Sequence, residues 1–307
     1  MRIGTMLSMP GTDLDLAGHI RAAQQAEDAG FDTAWLPNVS ALDALMVLAL
    51  AGRETARIEL GTAVVPTYPR HPVALAQQAL TAQAACSGRL ALGIGLSHKI
   101  AIEGALGLDY SRPIPHMREY LTVLGSLLDR KPASFDGELY RVHTQLDVPG
   151  ASRPALLVAA LGPDMLRLSG RLADGTITWM GGIPYLRDIA VPTISAAAQK
   201  TGRQPPRIVC GAPICVTDDP DGARNAANAQ FAIYGQLPSY RATLDRGGAG
   251  GPGDVAVVGD EASVAEQLRA YAEVGVTDFC ASVFVAPGAG TARTLELLAA
   301  LARGVTQ

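Results

Sequence analysis

Residues 88–99, GRLALGIGLSHK, set Gly93 and Gly95 at the end of an apolar run and place His98 three residues after the second glycine. Two chemistries use such a turn. In a dinucleotide fingerprint the glycines admit a pyrophosphate to a helix N-terminus. Otherwise they let a planar ligand lie on bare backbone while the histidine exchanges a proton, a task its reference pKa of about 6.5 suits. The fingerprint needs a third glycine at position 98, where this chain has His98. His98 is therefore a candidate proton-transfer residue at a strand end. A polar loop residue without chemistry fits the same position, so its weight depends on the element that carries it. The other histidines show no metal spacing: His19 lies in a helical stretch, His71 in Tyr-Pro-Arg-His-Pro, His116 at a helix start and His143 just beyond a turn. No H-E-x-x-H and no G-x-S-x-G occurs, so metal-assisted hydrolysis and serine acyl transfer lose ground.

Eight short β-branched or apolar runs, at 2–6, 33–36, 58–65, 90–94, 156–160, 176–180, 208–216 and 278–285, alternate with stretches of helical period. Helix punctuation separates them. Asp13 precedes Leu16, Ile20, Ala23 and Ala26, with Gly30 as a stop; Pro72 precedes Val73, Ala76, Leu80 and Ala84, with Gly88 as a stop. Pro163 likewise opens a helix carrying Met165, Leu166, Leu168 and Leu172, closed by Gly175. Further helices are expected over 117–128, 184–200, 221–236, 263–274 and 291–303, and the apolar run 44–51 reads as a buried helix. Alternation of this kind over 307 residues predicts a single-domain (β/α)8 TIM barrel spanning 1–307, with its site at the C-terminal strand ends. His98 then follows the fourth strand, at the mouth. Two segments interrupt the alternation. Asp-Gly within FDGELYRV predicts a hairpin at 135–142, and RGGAGGPGD at 246–254 reads as a mobile loop, either a lid or a surface connector.

Hydrophobic residues make up 48% and charged ones 18%, enough to build a large core. A net charge of -4 without any Lys/Arg run makes nucleic acid a poor partner. The longest apolar run is far shorter than the roughly 20 residues of a membrane span. The N-terminal apolar stretch stops at Pro10 without the pattern of a secretory leader, so the expectation is a cytoplasmic protein. Cys86, Cys210, Cys215 and Cys280 form no C-x-x-C pair and are expected as buried free thiols.

Five stretches in order are AAQQAEDAGFDTAWLP (22–37), IELGTAVVPTYPRHPVALAQQALTAQAACSGRLALGIGLSH (58–98), PHMREYLTVL (115–124), FDGELY (135–140) and LLVAALGPDMLRLSGRLADGTITW (156–179). Together they resemble the luciferase-like monooxygenase superfamily, in its branch of oxidoreductases that use the deazaflavin coenzyme F420. The resemblance implies the same barrel, with the deazaflavin ring laid across the strand ends above a bulge made by a non-prolyl cis peptide, here Ala63 to Val64. It also implies cofactor contacts at Asn38, Ala63, Val64, Gly95, Ser97, Ala159, Ala160, Leu161 and Gly162. The strand-five motif makes independent sense: two alanines leave room for a ring system, and Gly162 with Pro163 opens a helix whose free N–H groups can take a phosphate, although packing alone also explains small residues there. A homodimer built through the early helices, with 44–51 contributing, is a further expectation.

Departures from that branch point to the reaction. Its sugar-phosphate and alcohol dehydrogenases carry an Asp-His pair after strand two, the histidine acting as base; the corresponding pair here is Asn38-Val39, and an acidic residue found after strand four in some of them is replaced by His98. Alcohol oxidation needs a base, whereas reduction of an activated double bond needs a hydride and then a proton donor. The expected reaction is hydride transfer from reduced F420 to an activated C=C or C=N bond of a small-molecule substrate, with His98 or a water it holds supplying the proton. Two alternatives stay open: an FMN-dependent monooxygenase, and a non-catalytic flavin- or deazaflavin-binding protein. Trp35, Tyr68 and Trp179 suggest an apolar or planar acceptor, Trp35 being the most core-like, while Arg70, Arg241 and Arg246 are scattered rather than clustered to clamp a phosphate.

Overall fold

The alternation of apolar runs and punctuated helices closes into a ring of parallel strands in the computed structural model, which describes residues 1–9 and 13–304. Pro10, where the N-terminal apolar stretch ends, lies outside the described residues. The strands are β1 Arg2–Met6, β2 Thr33–Leu36, β3 Glu59–Thr62, β4 Val65–Pro66, β5 Leu90–Gly95, β6 Ala133–Asp136, β7 Arg141–Thr144, β8 Ala155–Val158, β9 Gly175–Trp179, β10 Arg207–Val216, β11 Val257–Gly259 and β12 Asp278–Val283. Around the barrel the order is β1, β2, β3, β5, β8, β9, β10, β12, returning to β1 through Ile3 opposite Phe279. Ala63 and Val64 divide the expected third strand, so β3 and β4 share one place in the ring. β11 was not expected; it pairs with the upper half of β10, Val257 opposite Ile214.

The helices are α1 Leu16–Ala29, α2 Ala44–Arg53, α3 Pro72–Ala85, α4 Pro113–Leu128, α5 Pro163–Leu172, α6 Ile183–Tyr185, α7 Val191–Lys200, α8 Pro220–Gln230, α9 Ala232–Gln236, α10 Pro238–Arg246, α11 Glu261–Glu273 and α12 Ala292–Ala302. Local chemistry sets their ends. The Asp15 carboxylate, rather than Asp13, caps α1 by accepting from Gly18 N–H at 2.7 Å, and Gly30 stops it at φ 94°. The helix expected over 184–200 is interrupted by a π-helical turn at Leu186–Ala190, and the one over 221–236 breaks at Phe231, whose ring turns into the upper core. α10 was not expected, because SYRATLDR offers few apolar residues for a periodic signal. The apolar run in α2 is only partly buried: Met46 and Leu50 face outward.

Side chains alternate between two apolar layers. Trp35, Ala91, Leu157, Ile177, Val209 and Cys280 fill the barrel interior, while the opposite faces of the strands pack against the helices. Charges close the bottom of the barrel, where Arg207 bonds Glu59 at 2.8 Å and Asp278 at 2.7 Å and lies 5.5 Å over the Trp35 ring. At the top, α8, α10 and a 3-10 turn at Pro252–Val255 gather Met180, Phe231, Leu244, Val255 and Phe284 into a separate cluster above the strand ends. The glycine-rich segment is tied into this roof: Arg241 donates to the carbonyls of Ala249 and Gly250, Asp254 accepts from Gly250 N–H, and Asn228 accepts from Gly253 N–H. All four cysteines are buried thiols.

The expected hairpin is β6 paired antiparallel with β7, and it extends to Thr144, so His143 lies on its second strand. Glu119 of α4 anchors it by accepting from the N–H groups of Glu138, Leu139 and Tyr140 at 2.9 to 3.1 Å. Burial pushes the Glu119 carboxyl pKa up, but the three donors outweigh it and hold the group below its ordinary value.

Candidate active site at the barrel mouth

The floor of the mouth is made of small groups. The Ala63–Val64 peptide is cis, and Ala63, Val64 and Ala159 line the upper interior. A Cβ on Gly95 would stand 2.7 Å from Val64 Cγ2 and 3.1 Å from the Ala159 methyl, so the glycine keeps this surface flat. Ala160 alternates to the other face and packs in the outer core, leaving Ala159 as the member of the pair that faces inward. Leu161 follows, its carbonyl accepting from the Tyr185 hydroxyl at 2.7 Å, and then Gly162, which begins α5 with no side-chain cap and open space where a Cβ would be. Free N–H groups and the positive end of the helix dipole therefore meet at this edge.

The fourth strand's exit turns sharply. Ser97 adopts φ 61°, and its carbonyl accepts from the Tyr110 hydroxyl. His98 is half-buried, its carbonyl opening a π-helical turn at Ile100–Ala105. Its ring makes no hydrogen bond among the described residues and packs 5.4 Å from the Tyr240 ring. Burial lowers its pKa, leaving the imidazole mostly neutral at pH 7. Asn38 Oδ1 accepts from Ala44 N–H at 2.9 Å and from Arg70, fastening the start of α2, while Val39 is exposed.

Aromatic rings form the walls. Tyr68 stacks on His116 with centroids 4.0 Å apart and on Tyr110 at 5.1 Å. His116 stays neutral, because burial takes its pKa down to about 4, and its Nε2 lies 2.9 Å from Thr67 Oγ1. On the opposite side Trp179 meets Tyr234 at 5.6 Å, Tyr234 meets Tyr240 at 5.1 Å, and Tyr240 reaches His98, so an arc of rings runs from β9 to the exit of β5. Trp35, by contrast, is wholly buried and donates to Thr33 Oγ1. Three buried side-chain polar atoms lack a partner among the described residues: Tyr68 Oη, Trp179 Nε1 and Ser282 Oγ. Sequence reasoning missed Ser282, Tyr234 and Tyr240. No motif marks them, and only barrel closure and the fold of the roof bring them to the mouth.

Residues 1–278 match the family described as luciferase-like monooxygenase. The 5,10-methylenetetrahydromethanopterin reductase of Archaeoglobus fulgidus is 32% identical over 223 residues, covering 70% of this chain and 65% of that one. The F420-dependent glucose-6-phosphate dehydrogenase of Kineococcus radiotolerans is 27% identical over 310 residues, covering 91% and 89%. Among solved structures, a type II Baeyer-Villiger monooxygenase of Pseudomonas putida in complex with FMN superposes with a TM-score of 0.77 at 17% identity, covering 99% and 97%. At that identity the last likeness speaks for the fold alone, whereas the match over residues 1–278 reaches most of the sequence. This chain belongs to the luciferase-like monooxygenase family.

Proposed function

We propose that the protein is an F420-dependent oxidoreductase that reduces an activated C=C or C=N bond of a small molecule. The flat floor of Ala63, Val64, Gly95 and Ala159 carries this reading: it suits the face of a planar ring system, with the uncapped start of α5 beside it for a phosphate. The relatives named above as reductase and F420-dependent dehydrogenase support the deazaflavin over FMN. When bound, the reduced cofactor supplies the hydride. The residues of this chain position the partners and manage the proton. The floor fixes one face of the ring, the aromatic arc excludes water, and His98, the histidine ring in that arc, delivers a proton to the atom that does not take the hydride. The proton comes from its small imidazolium fraction or from a water bonded to the neutral ring. Asn38 and Val39 offer no base, which disfavours alcohol oxidation through that loop.

An equilibrium fluorescence titration of the apo-protein with F420 and with FMN tests the reading. Selective binding of F420 is expected. A preference for FMN would overturn it in favour of oxygen chemistry, and F420 binding without turnover of any acceptor would leave a binding protein. We also propose that the chain pairs with a second copy through α2, whose outer face exposes Met46 and Leu50 beside Val39 and Leu42.

A further inference from the structure

Buried polar atoms in native proteins nearly always find a partner, so those that do not call for an explanation. Here the three found among the described residues all stand at the C-terminal ends of barrel strands. Two of them share one side of the mouth. Trp179 ends β9 level with Gly211 of β10, and Gly211 is level with Cys280 of β12, two residues before Ser282. Trp179 keeps step with Ile177, and Ser282 with Cys280, both of which point into the barrel, so both side chains face the lumen. A Cβ on Gly211 would stand 2.9 Å from Trp179 Cε3; the glycine lets the indole lie over β10, toward the strand that carries Ser282. Two uncharged donors are thus buried without a partner among the described residues at the top of the lumen, beside the arc of Trp179, Tyr234 and Tyr240.

The charges around the mouth are already matched. Arg70 pairs with Asp43, Lys99 with Glu103 at 3.7 Å and Arg241 with Asp245 at 2.8 Å. Arg246 has no ion pair among the described residues, but it acts on Tyr185, whose hydroxyl bonds the Leu161 carbonyl beside the start of α5, and so it neighbours the edge proposed for the cofactor's phosphate. An anionic substrate would have to break an ion pair, compete with the cofactor's phosphate for Arg246 or go without a cation, whereas a neutral one would satisfy donors that have no protein partner among the described residues.

Resting on the proposed F420 chemistry, we propose that Trp179 Nε1 and Ser282 Oγ together select the hydride acceptor, donating to the oxygen of an uncharged, planar conjugated carbonyl compound whose flat face lies against the aromatic arc. Phosphorylated sugars are excluded. An orphaned donor contributes nothing to the empty protein, so Ser282→Ala leaves its thermal midpoint unchanged or raises it, which a structural role would not do; Trp179→Phe also loses ring packing against Phe231 and Tyr234, so that variant is read by its coumarin and F420 affinities and not by its midpoint.

The test is calorimetric titration of protein saturated with oxidised F420, using coumarin as the neutral probe and glucose 6-phosphate as the anionic one. Coumarin should bind and the sugar phosphate should not. Each variant should weaken coumarin about three- to tenfold, the effect of one lost hydrogen bond, with F420 affinity unchanged. Tighter binding of glucose 6-phosphate, failure of coumarin to bind, or full coumarin affinity in both variants would overturn the proposal. Variants that lose F420 instead would overturn it by assigning the donors to the cofactor. Failure of F420 to bind the unaltered protein would strike at the underlying reading itself.

Discussion

His98 carries the chemistry in this account, and its surroundings set how it behaves. Burial lowers its pKa below the ordinary 6.5, so the imidazolium fraction is small at pH 7 and grows about tenfold per pH unit as the solution is acidified, until the lowered pKa is reached. Single-turnover reduction of an acceptor should therefore speed up as pH falls from about 8 toward 6.5. In His98→Gln the step should be slower by about 100-fold or more, with the pH dependence flattened and F420 affinity retained. An unchanged rate and pH profile would remove His98 from proton transfer. Its place at a strand exit was legible in the sequence because a Gly-x-Gly strand end has a readable local spacing. Ser282 was not: it is one serine in an apolar strand, and nothing within that strand marks its hydroxyl as unpartnered.

Elements were readable where their signals are local. Gly30 ends α1, Asp-Gly makes the hairpin turn, and Pro72 and Pro163 open α3 and α5 as expected. The misses are segments defined by tertiary contact: β11 exists because β10 is long enough to receive it, and α10 because Tyr240 and Leu244 pack into the roof. Glu119 belongs to the same class, since its role depends on backbone 19 to 21 residues further along. Glu119→Ala should cost about 1 to 3 kcal/mol, because three backbone donors lose a charged acceptor. The folded-state pKa of this carboxyl is depressed, so its contribution is present above the ordinary value of 4.5 and is lost as pH falls through the lower folded value. Chemical denaturation at neutral pH and in acid checks both statements; equal stability of Glu119→Ala and the unaltered protein at neutral pH would contradict them.

At the level of the whole molecule, alternation alone indicated a barrel, because eight parallel strands with crossover helices bury both faces of a sheet only by closing it or covering it. What alternation could not supply was the roof. The cluster of Phe231, Leu244, Val255 and Phe284 joins residues from two separate connections, those after β10 and after β12, and that roof makes the mouth an aromatic chamber instead of an open dish. The exposed face of α2 is the other feature at this scale. Replacing Met46 and Leu50 together by glutamate should convert a dimer into a monomer in light scattering while leaving F420 affinity intact; a wild-type monomer would contradict the pairing.

The central claim is that reduced F420 passes its hydride to an organic acceptor in this chamber. The most direct measurement is anaerobic mixing of the protein loaded with reduced F420 against a neutral enone such as 2-cyclohexen-1-one, following cofactor oxidation by absorbance and product by mass. The account predicts oxidation that requires both protein and acceptor, with one saturated product formed per cofactor oxidised. Cofactor that stays reduced until oxygen is admitted, with no reduced organic product at any acceptor concentration, would contradict it.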